Sequence, residues 1–263
     1  MSNFTSLQYS VSNSVATITL NRPDARNALN RVMRLELIDA LQQANRDGQV
    51  RAIIIAAEGA GFCSGVDLTE QAADKDSDGW GTRQLRYEFN PIIHGITTAE
   101  KPVISAVNGA AAGFGASLAL CCDFMLMSQD AFMYSAFGAI SLVPDGGLHK
   151  FLLEHLSPKQ AYEVIAFSKR IPAEQCVELG MANRVVDNDK LLEEAQKLAA
   201  ELVELAPLTL RYSKQLLREA KKSSLDEVTE QEAFIQNICL NSEDFKEGMT
   251  AFFEKRSPQF KGK

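Results

Sequence analysis

The stretch that decides the fold is KPVISAVNGAAAGFGA, residues 101–116. Pro102 introduces a run over residues 103–107 that is apolar except at Ser105, which is typical of a strand buried on both faces. Glycine-containing turns follow the run, and the chain then continues with an apolar helical pattern from residue 114. A strand, a turn and a helix in this order indicate one unit of an α/β fold with parallel strands.

The same alternation extends in both directions. Residues 52–56 and 124–127 are further apolar runs, and residues 82–97 and 114–121 show helical spacing between them. Ahead of these lie alternating residues 7–11 and 15–20, which predict a hairpin, and an amphipathic pattern that predicts a helix over residues 30–46.

After about residue 188 the pattern is helical only, with breaks at Pro207 and at residues 223–224. The sequence therefore predicts an α/β core over residues 1–200 and a helical region over residues 201–263 that serves assembly. Ser157 with Gln160 predicts a capping box at a helix start. Residues 74–79 are predicted to form a mobile surface loop.

Composition narrows the classes of function. The 263 residues are 46% hydrophobic with a net charge of −7, which argues against nucleic acid or an anionic membrane as the main partner. No segment approaches the ~20 apolar residues of a membrane span. The five cysteines are odd in number and form no C-x-x-C pair, so a reducing, cytoplasmic compartment is expected.

Two glycine-containing segments carry the candidate chemistry. They are GFCSGVDL, residues 61–68, after the first buried strand, and NGAAAGFG, residues 108–115, after the second. A helix start exposes unpaired N–H groups, and glycine allows close approach to them. Two such turns side by side can aim two N–H groups at one oxygen, forming an oxyanion hole. Taken singly, each segment is weak evidence, because a glycine-rich turn after a strand is more often only a turn.

Motifs spread over nearly the whole chain resemble the crotonase (enoyl-CoA hydratase/isomerase) superfamily. They occur in the family's order and with similar spacing, and they are residues 21–23, 27–30, 62–68, 101–103, 108–109, 113–115, 122–123, 144–147 and 252–260.

The resemblance implies a spiral of ββα units with a C-terminal helical trimerisation region, assembling as a homotrimer or hexamer. The substrate would be a coenzyme A thioester, with no further cofactor and no metal. Its carbonyl would accept hydrogen bonds from the backbone N–H groups of Val66 and Phe114. The residues expected to contact coenzyme A are Arg26, Phe62, Cys63, Ser64, Asp67, Phe260 and Lys263. Arg26 would lie near the phosphates, and residues 62–64 would lie at the adenine. Phe260 and Lys263 would reach the coenzyme A of a neighbouring subunit.

The reaction depends on the acid and base groups. Hydratases of the family carry two glutamates, and this chain has Ser117 and Phe137 at those positions. Asp145 stands where the family's Δ3,Δ2-enoyl-CoA isomerases place a carboxylate, and it also resembles the aspartate of the ring-epoxide isomerases of phenylacetate catabolism. One carboxylate suffices for a 1,3-proton shift, taking a proton from C2 and returning it at C4. The apolar neighbours Leu142 and Val143 are expected to raise its pKa.

The role of Asp145 and the reaction class both have alternative explanations. Pro-Asp-Gly is a favoured turn sequence, so Asp145 is also explained by turn geometry. The same scaffold supports weak hydration, ring-opening isomerisation or thioester hydrolysis, and some members are non-catalytic binding modules.

Several other side chains have competing explanations. Asp67 is expected to cap the next helix, and Cys63 is expected to be a small buried residue rather than a nucleophile. His149 either tunes Asp145 or lies at the surface. Trp80, Tyr87 and Phe89 line an acyl pocket or belong to the core.

Overall fold

A computed structural model describes residues 4–71 and 79–263. Its larger sheet has the strand order β1-β2-β3-β4-β6-β9, in which only the β1–β2 hairpin is antiparallel. A smaller sheet has the order β5-β7-β8. The strands are β1 (Leu7–Ser12), β2 (Val15–Leu20), β3 (Ala52–Ala57), β4 (Val103–Val107), β5 (Ala110–Ala112), β6 (Phe124–Ser128), β7 (Phe132–Tyr134), β8 (Arg170–Pro172) and β9 (Arg184–Val186).

Helices follow the strands on both faces of the larger sheet. They are α1 (Arg31–Arg46), α2 (Leu68–Gln71), α3 (Trp80–Gln84), α4 (Asn90–Thr97), α5 (Phe114–Leu120), α6 (Leu148–His155), α7 (Pro158–Ala166), α8 (Ala173–Glu178), α9 (Leu191–Val203), α10 (Pro207–Ala220), α11 (Leu225–Leu240) and α12 (Glu243–Glu254). Short 3₁₀ turns cover Pro23–Ala25 and Ala136–Ile140, and a π-helical turn covers Leu85–Phe89.

The buried strands explain why their sequences are apolar without alternation. In β3, Ile53 and Ile55 belong to the main core cluster together with residues of α1 and α4. Ile54, from the same strand, points the other way into a second cluster with Leu198 of α9. Both faces of the strand are therefore covered, as a parallel sheet with helices on both sides requires.

The predicted α/β architecture is confirmed, and the expected hairpin, parallel strands and long helices form close to their predicted limits. The segment predicted as one helix over residues 82–97 is instead divided, because the π-helical turn lies between α3 and α4. The capping box is present, since the hydroxyl of Ser157 accepts from the N–H of Gln160. Residues 74–78 of the predicted loop lie outside the described residues.

Helix α10 folds back on the core of its own chain. The ammonium group of Lys214 in α10 donates to the Asp123 carboxylate at 2.7 Å and to the carbonyl of Ile96 at 2.8 Å. Arg218 donates to the carbonyl of Thr97 at 2.7 Å. Among the described helices, none combines the length and apolar character needed to cross a membrane.

Candidate active site

The first candidate donor is the backbone N–H of Val66. Leu29 pairs with this segment as in a parallel sheet: its N–H donates to the Gly65 carbonyl at 2.7 Å, and its carbonyl accepts from the Asp67 N–H at 3.3 Å. In such a ladder the middle residue turns its own N–H to the opposite side. The Val66 N–H therefore faces away from Leu29.

The second candidate donor is the N–H of Phe114, the first residue of α5. Helix geometry leaves the first N–H groups without an intrahelical acceptor and places a partial positive charge there. Among residues 4–71 and 79–263, no acceptor receives a hydrogen bond from the N–H of either Val66 or Phe114. Both groups are free for an external oxygen.

The two donor segments lie side by side. The N–H of Cys63 donates to Ala110, and the carbonyl of Cys63 accepts from the N–H of Ala112 at 2.8 Å. Gly65 has a φ of +93°, and a β-carbon on it would lie 3.1 Å from the nitrogen of Phe114. Glycine at this position thus permits both the backbone conformation and the close approach of the two donors.

The loop of Asp145 is held against α5, the helix that begins with the second donor. The hydroxyl of Ser117, one turn into α5, donates to the carbonyl of Asp145 at 2.8 Å. Gly146, with a φ of +59°, packs so closely that a β-carbon on it would lie 2.8 Å from both the Phe114 ring and the Ser117 side chain. The loop that carries Asp145 is therefore fixed against the start of α5.

The carboxyl group of Asp145 is in an unusual state for an aspartate. Burial raises its pKa to about 6, opposed in part by a hydrogen bond from its own backbone N–H. Its Oδ1 is buried and has no hydrogen-bond partner within the described part of the chain. A poorly solvated carboxyl with a free oxygen and a pKa near neutrality has the properties of a general base.

The cause expected from the sequence was wrong in one respect. Leu142 and Val143 are 51% and 75% exposed in the single chain, so their side chains do not enclose the carboxyl group. The rise in the pKa comes from burial of the Asp145 loop itself against α5.

The two positions where a hydratase would carry glutamates hold groups that cannot act as bases. Ser117 is fully buried, and its hydroxyl is committed to the Asp145 carbonyl. Phe137 is 5% exposed, and its ring approaches Gly113 next to the second donor. The anchoring role of Ser117 was missed from sequence, because a serine on an apolar helix gives no signal of its partner.

Residues predicted to contact the adenine side of coenzyme A cluster at the first donor segment. The N–H of Ser64 donates to the carbonyl of Arg26 at 3.1 Å, which places the exposed Arg26 beside that segment. Phe62 and Cys63 are fully buried, and burial raises the pKa of the Cys63 thiol to about 12. A thiol in this state is not a nucleophile at neutral pH.

Asp67 caps α2, as its position before the helix predicts. Its Oδ1 accepts from the N–H and hydroxyl of Thr69 at 3.1 and 2.6 Å, and its Oδ2 accepts from Arg22 at 2.9 Å. Burial opposes ionisation, yet these hydrogen bonds outweigh it and lower the pKa of Asp67. Both oxygens are occupied within the chain, and a contact with coenzyme A stays a prediction.

The C-terminal residues are tied to their own chain. The carbonyl of Phe260 accepts from Arg51 at 3.1 Å, and its ring faces Gly248 of α12. A C-terminal oxygen of Lys263 accepts from the first N–H groups of α12. Their predicted contact with a neighbouring subunit's coenzyme A stays a prediction.

The remaining candidates separate by position. His149 is exposed on α6, and Tyr87 is 70% exposed. Trp80 is half-buried. Phe89 is fully buried, and its ring packs edge-to-face against the Phe114 ring with centroids 4.7 Å apart. In the two described ranges, no group of three or more His, Cys, Asp or Glu side chains is placed to hold a metal ion.

Comparison with known proteins decides the family. A sequence profile described as enoyl-CoA hydratase/isomerase matches residues 10–263. The chain belongs to the enoyl-CoA hydratase/isomerase family.

Relatives within this family carry both activities in their names. The 1,2-epoxyphenylacetyl-CoA isomerase of Escherichia coli is 36% identical over 96% of this chain and 97% of that protein. A probable enoyl-CoA hydratase of Rhodobacter capsulatus is also 36% identical, over 98% of both chains. The crystal structure of an enoyl-CoA hydratase from Polaromonas superposes with a TM-score of 0.92 at 33% identity, covering 97% of this chain and 99% of that one.

Proposed function

We propose that this member of the enoyl-CoA hydratase/isomerase family is an enoyl-CoA isomerase, in which Asp145 alone moves the proton. The observation that carries the proposal is the Asp145 carboxyl, with a pKa of about 6 raised by burial and an Oδ1 without a described partner, on a loop fixed against the helix that begins with the second donor. The name of the isomerase from Escherichia coli supports the same preference.

The first step is binding of a 3-enoyl-CoA with its thioester carbonyl between the N–H groups of Val66 and Phe114. Loss of the C2 proton moves negative charge onto this oxygen. Preorganised donors stabilise that charge more strongly than the ground-state carbonyl, and one such donor contributes about 10²–10³ in rate. No cofactor or metal is required for the step.

Asp145 then serves as both base and acid. At neutral pH the carboxylate is the main form, because its pKa is about 6. It takes the C2 proton, and electrons of the C2–H bond form the enolate. The protonated carboxyl returns the proton at C4, which moves the double bond into conjugation with the thioester. A pKa near the working pH favours both transfers.

Hydration is the second candidate, because the relative from Rhodobacter capsulatus is named a probable enoyl-CoA hydratase. Addition of water needs a base for the water and an acid for C2. With Ser117 and Phe137 at the positions that the resemblance gives to glutamates, Asp145 is the candidate for both tasks among the described residues, so we expect hydration to be slow. A non-catalytic acyl-CoA-binding module is the third candidate, and the free donors with a poised carboxyl argue against it.

A paired assay tests the proposal. Purified protein is given a 3-enoyl-CoA, and formation of the conjugated 2-enoyl product is followed; crotonyl-CoA tests hydration in parallel. We expect rapid isomerisation with little hydration. Asp145→Asn should lower kcat for isomerisation by about 10²–10⁴-fold, since it removes the proposed proton carrier.

Asp189→Asn is the matched control, because it makes the same change at an exposed position. It should leave both activities unchanged. If Asp145→Asn keeps full isomerisation, the assignment of Asp145 as the proton shuttle is wrong. Rapid hydration by the unsubstituted protein would favour the second candidate.

A further inference from the structure

A fully buried arginine contacts residues that pack against both candidate donor segments. Arg34 occupies the inward face of α1, and its side chain is 1% exposed. It lies three residues before Leu37, so the two share one side of the helix. A buried charge is costly unless it is paired and hydrogen-bonded. The partners of Arg34 therefore indicate why a cation is kept there.

One set of contacts ties Arg34 to the first donor segment. Its Nη1 donates to the carbonyl of Leu29 at 2.7 Å and to Oε2 of Glu70 at 2.9 Å. Leu29 is the residue that pairs with Gly65 and Asp67 on either side of Val66. Glu70 lies in α2, directly after them. The guanidinium thus binds both Leu29, which pairs with the segment around Val66, and α2, which follows that segment.

A second set of contacts ties Arg34 to the other donor. Its Nε and Nη2 donate to Oε2 of Glu88 at 2.9 and 2.7 Å. Glu88 lies in the π-helical turn, and π-helical turns are frequent at functional sites. The next residue is Phe89, whose ring lies 4.9 Å beneath the Arg34 guanidinium and packs against Phe114.

We infer that Arg34 is a positioning residue that fixes the spacing of the Val66 and Phe114 N–H groups. One guanidinium connects the backbone beside the first donor with the ring that supports the second. The inference rests on the proposed function, because it assigns a task to the oxyanion hole. It places no atom of Arg34 in contact with substrate.

The charges of the surrounding network favour this assignment. Arg31 donates to Glu88 from the solvent side at 3.2 Å, so two arginines face the carboxylates of Glu70 and Glu88. Without Arg34 the π-helical turn would keep only the exposed Arg31 as a described ion-pair link to α1, and Glu70 would lose its hydrogen bond from a buried guanidinium. Lysine cannot replace the link fully, because its single ammonium lacks the planar fork that binds three acceptors at once.

The experiment reads the donors directly. Acetoacetyl-CoA forms an enolate that absorbs in the near ultraviolet, and an oxyanion hole increases the enolate fraction of the bound ligand. Enolate absorbance, kcat and KM for a 3-enoyl-CoA, and the affinity for free coenzyme A are measured for the unsubstituted protein, Arg34→Gln and Arg34→Lys. Arg31→Gln is the matched control on the same helix.

We expect Arg34→Gln to lose most of the enolate signal and to lower kcat by about 10- to 100-fold, as a misplacement near 1 Å does. Affinity for free coenzyme A should stay within about 3-fold, because that ligand does not use the oxyanion hole. Arg34→Lys should recover only part of the signal, and Arg31→Gln should retain it.

A purely structural role would lower the unfolding temperature of Arg34→Gln and leave the enolate signal of the folded protein intact, which would overturn the inference. If Arg34→Gln does not fold, Glu88→Ala removes the acceptor of both hydrogen bonds to the π-helical turn while Glu70 still compensates Arg34. An unchanged enolate signal in that variant would also overturn it. Absence of the signal in the unsubstituted protein would instead refute the oxyanion hole of the proposed function.

Discussion

At the scale of single residues, the site depends on how one aspartate is presented. Asp145 is the first residue of the turn that leads into α6, because its carbonyl accepts from the N–H of Leu148 at 3.1 Å. The Ser117 hydroxyl and the close packing of Gly146 then press this turn against α5. The turn and the position of Asp145 against α5 therefore depend on the same three residues, Ser117, Asp145 and Gly146.

The raised pKa of Asp145 predicts how activity depends on pH. The base must be ionised to take the C2 proton, so kcat/KM for isomerisation should rise with pH to a plateau, with a midpoint near the pKa of about 6. A pH profile with the 3-enoyl-CoA measures this. A midpoint near 4 would mean that the carboxyl group is well solvated, contrary to its burial.

The same pKa predicts a trade between stability and activity. Because the folded-state pKa of about 6 exceeds the ordinary value of 3.8, the folded chain binds the proton more tightly, and stability falls as pH rises between these values. At pH 8 Asp145→Asn should therefore raise the free energy of unfolding by roughly 3 kcal/mol. Below about pH 4 the gain should vanish. Denaturant unfolding at both pH values tests this, with Asp189→Asn as the unaffected control.

At the scale of elements, the site forms where β3 and β4 end. The carboxyl ends of parallel strands meet at one edge of a sheet, which is where ligands bind in α/β folds. The segments after β3 and β4 are joined through Cys63 and its hydrogen bonds to β5. Two short connections thereby become neighbours with a defined spacing.

Gly65 is the element-scale determinant of that spacing. Gly65→Ala would place a β-carbon 3.0 Å from the Ala112 carbonyl and 3.1 Å from the Phe114 nitrogen, at a φ of +93°. We expect a loss of about 1–3 kcal/mol of stability from backbone strain and of about 100-fold in kcat from displaced donors. Gly48→Ala is the control, because a β-carbon there meets no atom within 4 Å. Unchanged kcat in Gly65→Ala would contradict the proposed donor geometry.

Much of this arrangement could be predicted from sequence, because strands and helices follow from local patterns. The run at residues 52–56 is apolar at every position and the run at residues 103–107 at every position except Ser105, which is typical of strands covered on both faces. The contacts of Arg34, Ser117 and Phe89 could not be predicted, since each depends on which distant element packs opposite. For Arg34 one signal was present: it is a charged residue on the apolar side of α1, between Met33 and Leu37.

The π-helical turn is another feature that the sequence alone could not predict. Helical spacing over residues 82–97 predicts a helix, and the spacing is helical throughout. The extra residue per turn at Leu85–Phe89 has no local signature. It becomes understandable from the tertiary partners, because it directs Glu88 to Arg34 and Phe89 to Phe114.

At the scale of the whole molecule, the last two helices, α11 and α12, have apolar faces that the single chain leaves uncovered. Large apolar side chains are widely exposed there, with values of 70% for Phe234, 76% for Phe252 and 73% for Phe253. Monomeric soluble proteins rarely expose apolar side chains in such concentration. α10, by contrast, is fastened to the core through Lys214 and Arg218. The outer faces of α11 and α12 therefore have no partner among the described residues and are available to pack against another molecule.

We expect that surface to be a second copy of the chain, giving the trimer or hexamer that the resemblance implies. Replacing Phe252 and Phe253 together by glutamate should shift the particle toward the monomer mass in sedimentation or light scattering, because charges cannot be buried unpaired at an apolar interface. Phe167→Glu is the matched control: Phe167 is 75% exposed at the end of α7, outside the C-terminal helices.

The same variant distinguishes assembly from catalysis. Val66, Phe114 and Asp145 all lie within one chain, so kcat for isomerisation should largely survive dissociation. If Phe260 and Lys263 reach the coenzyme A of a neighbouring subunit, KM for the thioester should rise when the copies separate. An unchanged KM in a monomeric variant would show that each chain binds its substrate alone, whereas an unchanged particle mass would remove α11 and α12 as the assembly surface.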